Sequence, residues 1–222
     1  MRKYLLSQEV VLSAKELDEE FMNTISHAFG LLLSIAGLIL LIMKGSEASS
    51  PAYLVSLAVF GMSLVLVYGS STIYHYVRHP KLKHWCKVFD HVAIYFLIAG
   101  TYTPFTLITL GDAWGWWMFG IVWSLALIGT FFKLFFVNRF KIVSTLAYVI
   151  MGWMSLVVTQ PLLETLPWDG FVLLATGGAV YTLGTLFYLW NRIPYNHAIW
   201  HMFVIGGSVL HYLSIFLFLY LN

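Results

Sequence analysis

The chain has 222 residues, of which 60% are hydrophobic and 10% charged, whereas soluble domains average about 45–50% apolar and about 25% charged residues. A net charge of +2 favours neither a nucleic acid nor an acidic ligand as partner. The single cysteine excludes an intramolecular disulfide framework and any CxxC motif. An aromatic content of 18% excludes disorder. The composition therefore predicts an integral membrane protein that contacts membrane lipids and binds no nucleic acid.

Seven apolar segments are long enough to cross a bilayer, which needs about 20 residues in a helix. They cover residues 24–43, 52–77, 88–109, 114–132, 142–161, 170–190 and 197–221. Each is a continuous apolar run without the alternation of barrel strands, so the segments are predicted to be helices. The prediction is an all-α integral membrane protein with one seven-helix transmembrane domain over residues 24–222.

Residues 1–23 form a separate, charged segment before the first span. Acidic residues stand where a signal peptide would have its apolar core, so a signal peptide is not expected. Ser13 and Glu16 have the spacing of a capping box, which predicts a short surface helix leading into the first span. A partly ordered tail is the alternative.

The basic residues predict the orientation of the spans. If the N-terminus is cytoplasmic, eleven of the twelve Lys and Arg residues lie on the cytoplasmic side and Lys44 alone lies outside. The C-terminus is then extracytoplasmic, and the protein is expected in the cell (inner or plasma) membrane. Trp114, Trp116 and Trp117 begin the fourth span at the expected outer interface, and Pro104 is expected to kink the third span.

Polar residues of three distant segments fall at one predicted depth. Because ionisable groups inside a membrane are costly, each of them is a functional candidate. All lie within about two turns of the cytoplasmic end of their spans, namely Ser71, His75, Asp90, His91, His197 and His201.

The spacing of these residues favours a metal site. His197 and His201 are four residues apart, so one helix presents both imidazoles on one face. A third histidine from another helix, with a carboxylate from a further one, would leave the fourth position of a tetrahedral zinc open for water or substrate. The alternative is a hydrogen-bonded polar cluster at the membrane interface.

The other histidines are expected to lie outside such a site. His79 and His84 belong to a predicted basic loop, residues 77–87, which is expected to be solvated and near anionic lipid headgroups. His27 begins the first span at the same end, where it is either packed at the interface or supports a ligand. His211 lies about 15 Å further along the seventh span, too far to share a metal.

Three motifs resemble those of the hemolysin III family, the bacterial branch of the progestin and adipoQ receptor family. They are Ser71-x-x-x-His75, Asp90 within FDHVAIYFLIAGTYTPF, and His197-x-x-x-His201 within NHAIWHMF. The resemblance implies seven helices with a cytoplasmic N-terminus and a zinc ion near the inner leaflet. It further implies that His75, His197 and His201 are the zinc ligands, that Asp90 holds the zinc-bound water, and that Ser71 is a nearby hydrogen-bonding residue.

The resemblance leaves three functions open. The wider superfamily is similar to the alkaline ceramidases, which implies a zinc-dependent hydrolase of membrane lipid amides or esters. In that case Asp90 is the general base and Ser71 steadies the oxyanion. The second is a non-catalytic regulator of membrane lipid or energetic homeostasis with a structural zinc. The third is a pore-forming hemolysin, against which the absence of a polar stripe along the full length of any span argues.

Overall fold

The computed structural model describes residues 13–48 and 50–219, and every regular element in these two ranges is helical. The eight α-helices are α1 Ala14–Ser46, α2 Pro51–Tyr76, α3 Pro80–Pro104, α4 Ala113–Phe136, α5 Lys141–Gly152, α6 Thr159–Thr165, α7 Trp168–Leu189 and α8 Asn196–Phe218. A π-helical turn, Phe105–Leu110, extends α3, and a 3-10 turn, Trp153–Val158, joins α5 to α6. Within the described residues these elements make seven spans that are long and apolar enough to cross a membrane. The predicted all-α, seven-span fold is confirmed.

The first span begins earlier than predicted. The predicted capping box is present, because Ser13 N donates to Glu16 Oε2 at 2.8 Å and Glu16 N donates to Ser13 Oγ at 3.3 Å. From this cap α1 runs without a break to Ser46. The helix predicted before the first span is therefore continuous with the helix of that span. Residues 1–12, including the basic Arg2 and Lys3, lie outside the described residues.

The predicted basic loop, residues 77–87, is wrong in extent. Helix α3 begins at Pro80, which is pre-organised for the first turn of a helix, so the connection is only residues 77–79. The sequence analysis predicted the start of the third span too late, because the first residues of α3 are charged. Hydropathy alone does not detect the part of a helix that continues into the headgroup region. His79 and His84 are nevertheless exposed, as expected.

The predicted end of the fourth span is also wrong. Helix α4 continues to Phe136, so Lys133, expected in a cytoplasmic loop, lies in the helix. It continues the inward stripe of Val122, Ala126 and Gly129 and is only 2% exposed. The spacing of three to four residues places all of these on the face that packs against the bundle.

The helices pack mainly against their neighbours in the chain. Helices α1, α2 and α3 follow one another, α7 pairs with α8, and α8 also contacts α1. Buried Phe60 and Leu64 of α2 join Leu97 of α3 and Val204 of α8 in one core. Gly30 permits a close approach at this junction, since a Cβ there would lie 2.6 Å from the ring of Tyr68.

The outward faces carry the large apolar side chains that a lipid environment requires. Leu32 on α1, Phe131 on α4 and Val157 after α5 are each more than 60% exposed. Trp114, Trp116 and Trp117 stand exposed at the beginning of α4, where an interfacial belt was predicted.

The third span changes its helix type at Pro104, and the predicted kink itself stays a prediction. The α-helical pattern ends at Pro104 and the chain continues as the π-helical turn. Proline lacks the amide hydrogen that the next hydrogen bond of an α-helix needs. Gly111, with φ of 62°, then ends the span in the left-handed conformation.

Candidate metal centre

Three imidazoles meet where α2 ends and α8 begins. His75 comes from the last turn of α2, and His197 and His201 come from the first two turns of α8. One ring nitrogen of each histidine lies within 4.8 Å of the others. The ring centroids are 5.0 Å apart for His75 and His197, 5.2 Å for His75 and His201, and 4.6 Å for His197 and His201. The structure thus brings together the three predicted ligands in a group that can hold a metal ion.

The outer nitrogens of two of these rings have partners on α1. His75 Nδ1 lies 2.6 Å from Glu20 Oε2, and His201 Nδ1 lies 2.8 Å from Ser26 Oγ. These bonds leave the Nε2 atoms of both rings for the centre. His75 Nε2 is buried and has no hydrogen-bond partner among the described residues.

The nitrogens of the group fit a metal. A buried polar atom without a partner is costly, and ligation would remove that cost. Three imidazole donors suit zinc and also copper, nickel and iron. The geometry therefore fits a divalent transition metal and leaves zinc as one member of that class.

Asp90 and Ser71 lie near the histidines without joining them. Both are buried, and both line the same cavity as His197 and His201. No carboxylate oxygen of Asp90 belongs to the group of atoms within 4.8 Å of one another. Ser71 Oγ is buried and has no hydrogen-bond partner among the described residues. The two side chains are thus available to a molecule in the cavity.

His91, the sixth member of the predicted polar layer, lines the same cavity and has its own hydrogen-bond partners. Its Nδ1 lies 2.8 Å from the carbonyl oxygen of Lys87, one helical turn earlier, and 3.5 Å from Asp90 Oδ2. Its own carbonyl accepts a hydrogen bond of 2.9 Å from Tyr148 OH on α5. His91 therefore connects α3 to α5 beside the centre, outside the ligand group.

A cavity extends from His197 and His201 into the bundle. The centres of water-sized molecules can occupy about 130 Å³ of it. Most of its walls come from α3, α5, α7 and α8, with smaller contributions from α1 and α2, and much of the lining is apolar, including Ile94, Leu97, Val149 and Val204. The centre is therefore the polar end of a largely apolar space.

Comparison with known proteins identifies the group to which this chain is related. The sequence model of the family described as "Haemolysin-III related" matches residues 15–212. The chain belongs to this family. It is similar to Hemolysin-3 of Bacillus cereus, with 45% identity over 210 residues that cover 95% of this chain and 96% of the relative.

Two further relatives extend the haemolysin-III comparison. The Hemolysin-3 homolog of Bacillus subtilis (strain 168) is 48% identical over 192 residues, covering 86% of this chain and 90% of that protein. The human Monocyte to macrophage differentiation factor is 31% identical over 209 residues, covering 91% of this chain and 85% of that protein. The resemblance drawn from the three motifs is thereby confirmed.

The remaining two buried histidines differ in their relation to the centre. His27 stacks on His201 with ring centroids 3.4 Å apart, and neither of its ring nitrogens has a hydrogen-bond partner among the described residues. His211 lines the far part of the cavity and bonds the Leu174 carbonyl oxygen at 3.1 Å. His27 is thus beside the ligand group and His211 is not part of it.

Residues of α1 and the start of α3 are what the sequence analysis missed. Glu20 and Ser26 contact two of the ligands, and Lys83 donates to Glu20 Oε1 at 2.9 Å. A signal was present, because Glu20, Asn23 and His27 recur at helical spacing where an apolar span begins. Glu20 was nevertheless missed because its charged neighbours placed it in the predicted N-terminal segment. Lys83 was missed because it belongs to the predicted solvated loop.

Proposed function

We propose that this protein is a zinc-dependent hydrolase of amide or ester bonds in membrane lipids. The observation that carries the proposal is the meeting of three imidazoles at the polar end of a largely apolar cavity, beside buried Asp90 and Ser71. A lipid would place its acyl part in the apolar space and its polar linkage at the histidines.

Each polar residue of the centre has a chemical task in this proposal. His75, His197 and His201 would hold the metal, which supplies Lewis acidity and makes water a stronger acid. Asp90 would accept a proton from water and pass it to the leaving group of the lipid. Ser71 Oγ would donate a hydrogen bond to the substrate carbonyl oxygen as negative charge develops on it.

The absence of Asp90 from the ligand group supports its proposed task. A buried carboxylate outside the group of ligand atoms keeps both of its oxygens to accept hydrogen bonds from water, whereas coordination to the metal would occupy at least one of them. Three protein ligands also leave the fourth position open, as hydrolytic zinc sites require.

The proposed location is the cell membrane, with the metal centre at its cytoplasmic side. Basic residues gather at the end of the bundle that contains the histidines. They include Lys83, Lys87 and Lys141 and follow the positive-inside rule.

The direct test uses the purified full chain in detergent or lipid nanodiscs. The protein would be loaded with zinc and incubated separately with ceramides and with phospholipids, and the released fatty acid would be measured. We expect turnover that a chelator abolishes and zinc restores, and that His201→Ala lacks. His79→Ala, an exposed histidine outside the centre, is the matched control. No release from any of these lipids by zinc-loaded protein would refute the proposal.

A second candidate function is a non-catalytic regulator whose metal cross-links two helices. One observation favours it, because the ligands come only from the end of α2 and the beginning of α8, more than 100 residues apart in the chain. A metal there would fix the relative position of these helices. Chelation would then lower the melting temperature of a protein that shows no turnover.

A further inference from the structure

The carboxylate of Glu20 connects three helices at the metal centre. Its Oε2 lies 2.6 Å from His75 Nδ1 on α2, and its Oε1 lies 2.9 Å from Lys83 Nζ on α3. Glu20 itself belongs to α1, whose neighbouring residue Glu19 makes only a distant pair with Lys15, at 3.9 Å. The Glu20 carboxylate therefore contacts His75 through one oxygen and the Lys83 ammonium through the other.

We propose that Glu20 is a positioning residue that sets the affinity of the centre for its metal. The inference rests on the proposal above that a metal occupies the three histidines. A carboxylate can only accept hydrogen bonds, so His75 must carry its proton on Nδ1. The lone pair is then on Nε2, the buried nitrogen that has no other partner among the described residues. Glu20 thus selects the tautomer that can ligate and fixes the rotation of the ring.

Lys83 holds the carboxylate in place. Its Nζ donates to Glu20 Oε1, and the carbonyl oxygen of Tyr74 lies 3.4 Å from the same Nζ. The side chains of Glu20 and Lys83 are each 19% exposed, so the pair is partly withdrawn from water. The ammonium occupies Oε1 of Glu20 and leaves Oε2 for His75. Lys83 therefore acts on the metal centre through Glu20.

Helix α1 supplies the supporting contact of the second helix as well. Ser26, less than two turns after Glu20, holds His201 Nδ1 at 2.8 Å. Two of the three ligands thus depend on one helix that contributes no ligand to the group. We therefore expect the metal affinity to fall when the contacts that α1 makes with His75 or His201 are removed. This expectation does not depend on whether the protein hydrolyses a lipid.

The test measures zinc affinity of the full chain in detergent by competition with a chromophoric chelator. Loss of an outer partner of a ligating histidine typically weakens metal binding by about 10–100-fold, and we expect this range for Glu20→Ala. Glu20→Gln should weaken binding less than Glu20→Ala, because its amide oxygen can still accept from His75 Nδ1. It should still weaken binding, because its amide nitrogen can donate to Nδ1 and favour the tautomer that cannot ligate. Lys83→Met should also weaken zinc binding less than Glu20→Ala does. The control Glu19→Gln should bind zinc with the affinity of the wild type.

Two further readouts separate positioning from a merely structural role. The melting temperature of the metal-free protein should be nearly unchanged in Glu20→Gln, which keeps the volume of the side chain. Cobalt bound in place of zinc should give a visible spectrum that differs between Glu20→Gln and wild type, because the orientation of one imidazole changes.

The outcomes of this test are distinguishable from failure of the proposed function. Wild-type zinc affinity in both Glu20→Ala and Glu20→Gln would overturn the positioning role. A lower metal-free melting temperature with unchanged affinity would overturn it too. If the wild type itself binds neither zinc nor cobalt, the metal centre fails, and the role of Glu20 fails with it.

Discussion

Replacing Asp90 by Asn separates hydrolysis from a structural metal. The change keeps the size of a buried side chain on α3 and removes its ability to accept a proton. Because Asp90 does not belong to the ligand group, the zinc content should stay close to that of the wild type. Loss of a general base typically lowers the rate about 10²–10⁴-fold, which corresponds to a barrier raised by about 2.7–5.4 kcal/mol.

The assay compares zinc content and lipid hydrolysis in the same preparations. Zinc per chain would be measured by mass spectrometry, and kcat by release of fatty acid from whichever lipid the wild type cleaves. Asp169→Asn is the control, because Asp169 is exposed in the first turn of α7, at the opposite end of the bundle from the histidines. It should retain both zinc and activity.

Two results would refute the reasoning on Asp90. Wild-type turnover by Asp90→Asn would remove the carboxylate from the proton transfer. Loss of zinc in parallel with function would instead make Asp90 part of the metal binding. A metal-loaded crystal structure with Asp90 coordinated at about 2.0–2.2 Å would identify a fourth protein ligand and favour the structural metal.

Three other predictions follow from the same structure. Ala at His75, His197 or His201 should each remove most of the metal, whereas His84→Ala should not; acidification should also release it, because protons compete for the same lone pairs. These are checked by zinc analysis, and full occupancy in any of the three would exclude that residue. A reporter fused after Asn222 should be extracytoplasmic and one inserted near Lys83 cytoplasmic, and the reverse result would invert the proposed orientation. Lys133→Met should raise the melting temperature, because the Lys133 side chain is only 2% exposed and takes part in none of the salt bridges among the described residues. A lower melting temperature would show that the ammonium has a stabilising role.

The fold was predictable because the spans are apolar over their whole length. Seven such segments are each sufficient to specify a membrane helix, and their number required no tertiary information. Their ends were less predictable. The charged start of α3 lies within a helix, since long cationic side chains can extend from a helix toward the membrane surface. Lys133 also lies within a helix, but its side chain is buried against the bundle.

The three histidines that could hold a metal ion were predictable, and the residues that contact them were not. His197 and His201 can be recognised in the sequence by their spacing of four residues on one helix. Asp90 can be recognised because it is a charged residue inside an apolar span. Glu20 has only the weaker signal of its helical spacing with Asn23 and His27, because its neighbours are charged and its contact with His75 spans 55 residues of chain. The role of Ser26 could not be predicted either, since a serine near the end of a span is common and its contact with His201 is known only from the structure.

The two candidate functions differ in whether they require Asp90. A metal that only joins α2 to α8 needs three imidazoles and the partners that orient them, and all of these are accounted for without Asp90. A buried carboxylate that ligates nothing costs free energy unless a cation, a donor or an ordered water faces it. Two donors that line the same cavity face this carboxylate, because Ser71 interacts with Asp90 and His91 Nδ1 lies 3.5 Å from Asp90 Oδ2. A water shared by the metal, Asp90 and Ser71 would add to these contacts, and a hydrolase requires such a water as its reactant.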